Sequence, residues 1–289
     1  MRRKLNKRFY INICIIVVFA VFSGYFVGNF YLSNFASADV DVNVSESVVR
    51  DKMTDVFKRT ANKSVSQISA TDNFVLAEYY LNQRKSVRKT STGKVTAQGI
   101  TQDFYAQKIL SENEFYYMKI SSGLLSIATK MYWTVGSDTV NFYKGKNIKK
   151  TTATWSDTPS KMYTFDEYKE DFGIPAGGWL NYIVSSKTVI TEGTSKKLGN
   201  GNYQFELHLD KIYSTMNYKY EVKQTSGSSK NPRFKSSVIT FEIDENWNFI
   251  QIDYKEKYEV AVKQLGGMFV ETVGTLTDTF EYDGDFIIP

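Results

Sequence analysis

One cysteine and one histidine in 289 residues remove most nucleophilic and metal chemistry before any motif is sought. Cys14 lies inside an apolar N-terminal run, so the chain beyond it has no thiol for a disulfide, a zinc site or a thiolate nucleophile. His208 alternates with Glu206 and Asp210, which puts all three on the polar face of a strand. One imidazole among carboxylates makes a poor metal site. Gly-x-Ser-x-Gly, a glycine-rich phosphate loop and His-Glu-x-x-His are all missing. Asp244, Asn246 and Asn248 imitate the start of a calcium loop, but Phe249 stands where glycine is required and Lys255 where a bidentate Glu belongs. Asp278, Asp283 and Asp285 are weaker calcium candidates still. The reading is therefore of no catalytic residue, no metal and no cofactor. Carboxylate pairs such as Glu206 with Asp210, or Asp166 with Glu170, leave a glycan hydrolase as the remaining enzymatic alternative.

An excess of positive charge is also missing where it would matter. Five of the 36 Lys and Arg fall in the first eight residues, and all 31 Asp and Glu fall beyond residue 38. Residues 39–289 thus carry 31 charges of each sign and no net charge, which gives no footprint for nucleic acid. Two local basic clusters remain, from Arg84 to Lys94 and from Lys144 to Lys150. They read first as solvated strand ends and turns, and second as a weak attraction for anionic head groups or wall polymers. Without disulfides, stability must come from a hydrophobic core, and about 250 residues can bury one.

What the chain does have is an export leader. Arg2, Arg3, Lys4, Lys7 and Arg8 precede an apolar stretch from Phe9, and Ala36-Ser37-Ala38 follows it. As a helix, Phe9 to Leu32 would rise roughly 36 Å, enough to cross a hydrocarbon core of about 30 Å. The basic end would stay in the cytoplasm. Residues 1–38 are therefore either a single-pass signal anchor or a signal peptide cleaved after Ala38. In both cases 39–289 lies outside the cytoplasm, tethered to the cell membrane or secreted. Cys14 is near the start of the run, the wrong end for a lipidated cysteine, and reads as a small hydrophobe.

Beyond the leader, Val48, Val49, Met53, Val56 and Phe57 predict a helix after Ser45, and a second runs from Thr71 or Asp72 to about Arg84. The period then becomes two. Strands are expected at 114–121, at 140–143, over Tyr203 to Leu209, over Tyr218, Tyr220 and Val222, at 239–243 and at 269–282. The longest alternating pattern, 250–262, has Ile250, Ile252, Tyr254, Glu256, Tyr258, Val260 and Val262 on one face and mostly charged residues on the other. Thr164 and Glu167 form a capping box that opens a short helix ending at Gly173 and Pro175. Gly177-Gly178 leads into a further helical turn through Trp179, Leu180, Tyr182 and Ile183. This insert, about 160–186, reads as a lid or crossover. The fold class is α+β and predominantly antiparallel β, with one or two helices packed on a large curved sheet.

Glu256 stands on the greasy face, where a carboxylate needs a partner. A tyrosine hydroxyl or a lysine inside a structural network is the plain reading; a polar anchor at the bottom of a ligand cavity is the functional one. The candidate ligand residues are Glu256, Tyr254, Tyr258, Trp179 and Tyr182.

The helix at 45–60, the strands at 114–121, 203–210 and 238–262 and the insert at 160–186 resemble the half-barrel architecture of bacterial lipoprotein carriers. That resemblance implies a curved sheet wrapped around helices, with an apolar cavity for acyl chains. It favours a non-enzymatic extracytoplasmic binding protein for a lipid or other amphiphile, with the membrane as partner through the N-terminal segment. A surface interaction protein that uses the sheet face to contact another protein is the alternative.

Overall fold

The computed structural model describes residues 49–97, 99–123, 126–172, 176–216, 218–219, 230–262 and 268–289. The leader with Ala36 and Ala38, the expected cap Ser45, the helix-stopping Gly173 and Pro175, and Tyr220, Val222 and Gly227 lie outside them. No helix among the described residues is long and apolar enough to cross a membrane.

Two helices come first. Helix α1 spans Met53–Thr60; Val49 is helical as well, and 45–48, where the expected helix begins, lie outside the described residues. Helix α2 spans Ala70–Gln83 with the Ser69 hydroxyl accepting from the Asp72 amide. Then follow β1 (Ser86–Ala97), β2 (Ile100–Ser111), β3 (Glu114–Ser122), β4 (Ile127–Thr134), β5 (Thr139–Lys146), β6 (Thr154–Trp155) and β7 (Lys161–Thr164). Helix α3 (Phe165–Phe172) carries the expected capping box, since Glu167 accepts from the Thr164 amide at 2.8 Å and Thr164 Oγ1 from the Glu167 amide at 3.2 Å. The chain ends in β8 (Val189–Lys197), β9 (Tyr203–Leu209), β10 (Arg233–Ile243), β11 (Phe249–Val262) and β12 (Met268–Tyr282).

Among the described residues these strands form one antiparallel sheet ordered β6-β5-β4-β3-β2-β1-β12-β11-β10-β9-β8, with β7 also paired to β5. Two meanders are therefore joined where β1 pairs with β12 over Val87–Ala97 and Thr272–Tyr282. Gly93 sits at that seam. A Cβ there would meet the backbone oxygen of Thr275 at 2.3 Å, so only glycine allows the two strands to lie so close.

The inner face takes the helices. Phe74 of α2 lies edge-on to Phe241 and to Phe249, 5.1 Å from each ring, and all three are almost fully buried. Burial of each such ring contributes about 1.5–3 kcal/mol. The hairpin between β10 and β11 reinforces this, with Asp244 Oδ1 accepting from the amides of Asn246 and Asn248. Trp247, in the left-handed region at φ 58°, donates its indole N–H to Asn73 Oδ1 at 2.8 Å. The outer face carries a second, smaller core on β2 to β4, where Ile109, Tyr116, Met118, Ile120 and Ala128 are covered by Ile148, Trp155, Phe286 and Ile288.

Two elements differ from expectation. Met216, Tyr218 and Lys219 are helical, where alternation predicts a strand from Tyr218 onward. Lys219 donates to the Thr215 carbonyl at 2.6 Å, a helical hydrogen bond that an alternating aromatic pattern does not reveal. Residues 176–188 form no helix either, because they lie as an irregular strap against the sheet.

Candidate functional site

The strap crosses the strands in their spatial order. Gly177 faces Trp133 of β4 and Phe115 of β3, and the Gly178 carbonyl accepts from Lys108 Nζ on β2. The Trp179 carbonyl accepts from Lys89 Nζ on β1 at 2.8 Å, and Tyr182 reaches Glu256 on β11. Its far end is clasped by the segment before α1. Ser185 Oγ donates to the Val49 carbonyl, and Ser186 Oγ to Asp51 Oδ1 at 2.8 Å.

Beneath the strap a seam of polar side chains runs through the apolar face. Lys89 and Lys108 are register partners on β1 and β2, exposed by only 6% and 7%. Lys89 Nζ donates to Asp278 Oδ2 at 2.9 Å, and Ser91 Oγ to Asp278 Oδ1 at 2.5 Å. Asp278 is 1% exposed, so this ion pair is withdrawn from water. Tyr254 Oη joins the same carboxylate at 3.3 Å. One strand over, Glu256 (8% exposed) accepts from Tyr182 at 2.6 Å and from Tyr218 at 3.2 Å. Gly274, its register partner on β12, leaves the space its carboxylate occupies. Tyr182 and Tyr254 are stacked, their rings 5.8 Å apart. Burial first, and then the neighbouring carboxylates, push both phenols well above their ordinary range.

The structure brings Glu256, Tyr254 and Tyr182 into one cluster. Tyr258 lies further along β11, stacked on Phe234 at 5.1 Å, and Trp179 packs its ring on Phe115 at 5.4 Å while its carbonyl holds Lys89. The inward placement of Lys89, Lys108 and Asp278 is missed by the sequence reading, which takes Asp278 for a weak calcium candidate although it shares the parity of Val270, Thr272 and Phe280, all buried. An apolar cavity is expected on this face, yet Trp179, Tyr182 and Val184 fill the space between strap and sheet. The groove of about 660 Å³ lies on the opposite face and is lined mainly by polar residues. His208, on that outer face, is exposed and bonds Glu206 Oε1 at 2.9 Å.

No family model and no curated protein matches the sequence. Among solved structures, the chain is similar to the lipoprotein LppX of Mycobacterium tuberculosis at 10% identity, over 73% of this chain and 92% of that one, with a TM-score of 0.33. A DUF1329 family protein from Desulfovibrio piger aligns at 9% identity over 74% of this chain and 93% of its own, with a TM-score of 0.25.

Proposed function

We propose that this chain is a non-enzymatic binding protein for a lipid or other amphiphile, acting outside the cytoplasm and held at the membrane by residues 1–38, or secreted if they are removed. The observation that carries this reading is the charged seam on the inner face beneath a strap with no regular structure. Taking Lys89, Asp278 and Glu256 out of water costs several kcal/mol per ion before pairing, and packed apolar residues would often serve stability better. A polar head group gives those charges a use. The strap's aromatic side chains occupy the volume that acyl chains would take, and its carbonyls hold the lysines as head-group oxygens would. Displacement of 176–184 by the ligand exchanges one set of contacts for the other.

The test is native mass spectrometry of the full chain from detergent micelles, followed by lipid extraction. An amphiphile should be retained at one per chain in the wild type and lost in Glu256→Gln while the far-ultraviolet dichroism is unchanged. A wild-type chain that holds nothing beyond micelle background rules the reading out, as does equal retention in the variant.

A further inference from the structure

The groove on the outer face joins the ends of the two basic clusters, which the sequence alone reads first as solvated strand ends and turns. Lys94 ends the first and Lys150 ends the second, and the fold brings both to one depression although 56 positions separate them. Strand alternation places Lys255 on the same side, opposite in direction to Glu256 and the inner seam. The site is therefore separate from the one proposed above.

The groove has a built floor and wall. Its floor crosses five strands from Asp103 on β2 to Thr240 on β10, roughly 19 Å at the ordinary strand spacing. Lys94 and Lys255 are both register partners of Thr275, so they flank its hydroxyl across roughly 10 Å. One row further along, Thr92, Thr277, Asp253 and Thr240 are successive register partners across β1, β12, β11 and β10. The wall is the loop after β5. Ile148 and Trp155 anchor it in the outer core, and Lys150 reaches back to Asp103 at 3.7 Å.

Such a lining selects its ligand by chemistry. Exposed ammonium groups on both sides of a hydroxyl favour an anion, while Asp253 and Asp103 disfavour a chain of bare anions. The same carboxylates accept hydrogen bonds from hydroxyl groups. A ligand that offers anions and hydroxyls in alternation satisfies both, and an open groove that crosses five strands suits a linear chain. We infer that this face binds a linear, hydroxyl-rich polyanion, its anionic group a phosphodiester or a carboxylate.

The experiment measures binding of the full chain in detergent micelles to four probes: a glycerol-phosphate oligomer, oligogalacturonate, neutral dextran and single-stranded DNA. At least one of the first two should bind, more weakly as salt is raised, and which one binds identifies the anion. Lys94→Ala/Lys255→Ala should weaken that binding about tenfold, a loss typical of charge-assisted hydrogen bonds. Lys58→Ala/Lys63→Ala, on and just after α1, should leave it unchanged. Both lysines of the groove are exposed, and an unshifted thermal midpoint confirms that the variant folds. Should the pair unfold, Lys255→Gln alone gives the same reading. The inference is overturned if neither polyanion binds, if dextran or DNA binds as tightly, or if the groove variant binds like the wild type.

Discussion

The Tyr182 hydroxyl donates to Glu256 Oε1 at 2.6 Å, tying the irregular strap to β11 across 74 positions of sequence. Removal of that donor leaves a buried carboxylate short of a partner. Tyr182→Phe should therefore cost about 1–3 kcal/mol in chemical denaturation. Tyr213→Phe, at a more exposed ring, should stay within about 0.5 kcal/mol. Equal effects from the two substitutions would mean that the bond contributes nothing.

Lys89 and Asp278 form a pair whose parts are worth more together than apart. Lys89→Met strands a carboxylate at 1% exposure and should destabilise by about 3–5 kcal/mol. Lys89→Met combined with Asp278→Leu removes both charges. It should cost less than the sum of the single changes, with a coupling of about 0.5–3 kcal/mol. Additive effects in thermal or urea melts would contradict the pairing.

Glu256 and Asp278 show how far the sequence could be read. A strict period of two fixes the face of Glu256, and of the two partners expected for it, a tyrosine hydroxyl or a lysine, it has tyrosines, Tyr182 and Tyr218. The same parity would have exposed Asp278, but aspartate among Thr, Gly and Asp reads as a turn or calcium pattern. The antiparallel sheet and the helix from Ala70 follow from local periodicity. The strap does not, because its path is set by two lysines remote in sequence that hold its carbonyls, and no local pattern encodes such a hold. Tyr218 is missed for a related reason: aromatic alternation fits both a strand and a packed helical turn. The outer core on β2 to β4 breaks the one-greasy-face rule because the loop after β5 and the C-terminal residues cover it.

Alkaline pH should loosen the fold. Burial raises the Tyr116 and Tyr163 phenols to about 12, with the carboxylates of Asp171 and Glu167 adding to the second, and raises Tyr182, Tyr254 and Tyr282 as well. A phenol whose folded value exceeds the unfolded 10.0 keeps its proton longer when folded. Its contribution is intact below pH 10 and is lost as pH rises toward the folded value. Urea midpoints should be flat with respect to these groups up to about pH 9.5 and fall from pH 10 to 12. Tyr116→Phe should make that fall shallower; an unchanged slope would refute the assignment.

Gly93 tests the seam between the two meanders. Because the atoms facing its missing Cβ are backbone, Gly93→Ala must move β12 and should destabilise by about 1–3 kcal/mol. At Gly199 nothing lies within 4 Å, and Gly199→Ala should be neutral or slightly stabilising.

The clasp on the strap should be sensitive to acid in a way that one substitution removes. Burial tends to raise the Asp51 carboxyl, but hydrogen bonds from Ser186 and the Arg59 guanidinium outweigh it and hold the group below its ordinary 3.8. A carboxyl with a lowered folded value contributes stability above 3.8, and that contribution is lost as pH falls through the folded value. Glu192, whose carboxylate accepts from the amides of Ala70 and Thr71, titrates with the same sign and lowers overall stability in the same window. The two are separable by where exchange increases. Amide hydrogen exchange at 185–189, corrected for intrinsic rates, should accelerate between about pH 5 and 3 in the wild type. In Asp51→Asn it should already be fast at pH 5 and show no further step, while the amides of α2 keep theirs. If the strap amides of Asp51→Asn still show the wild-type acid step, Asp51 does not hold the strap.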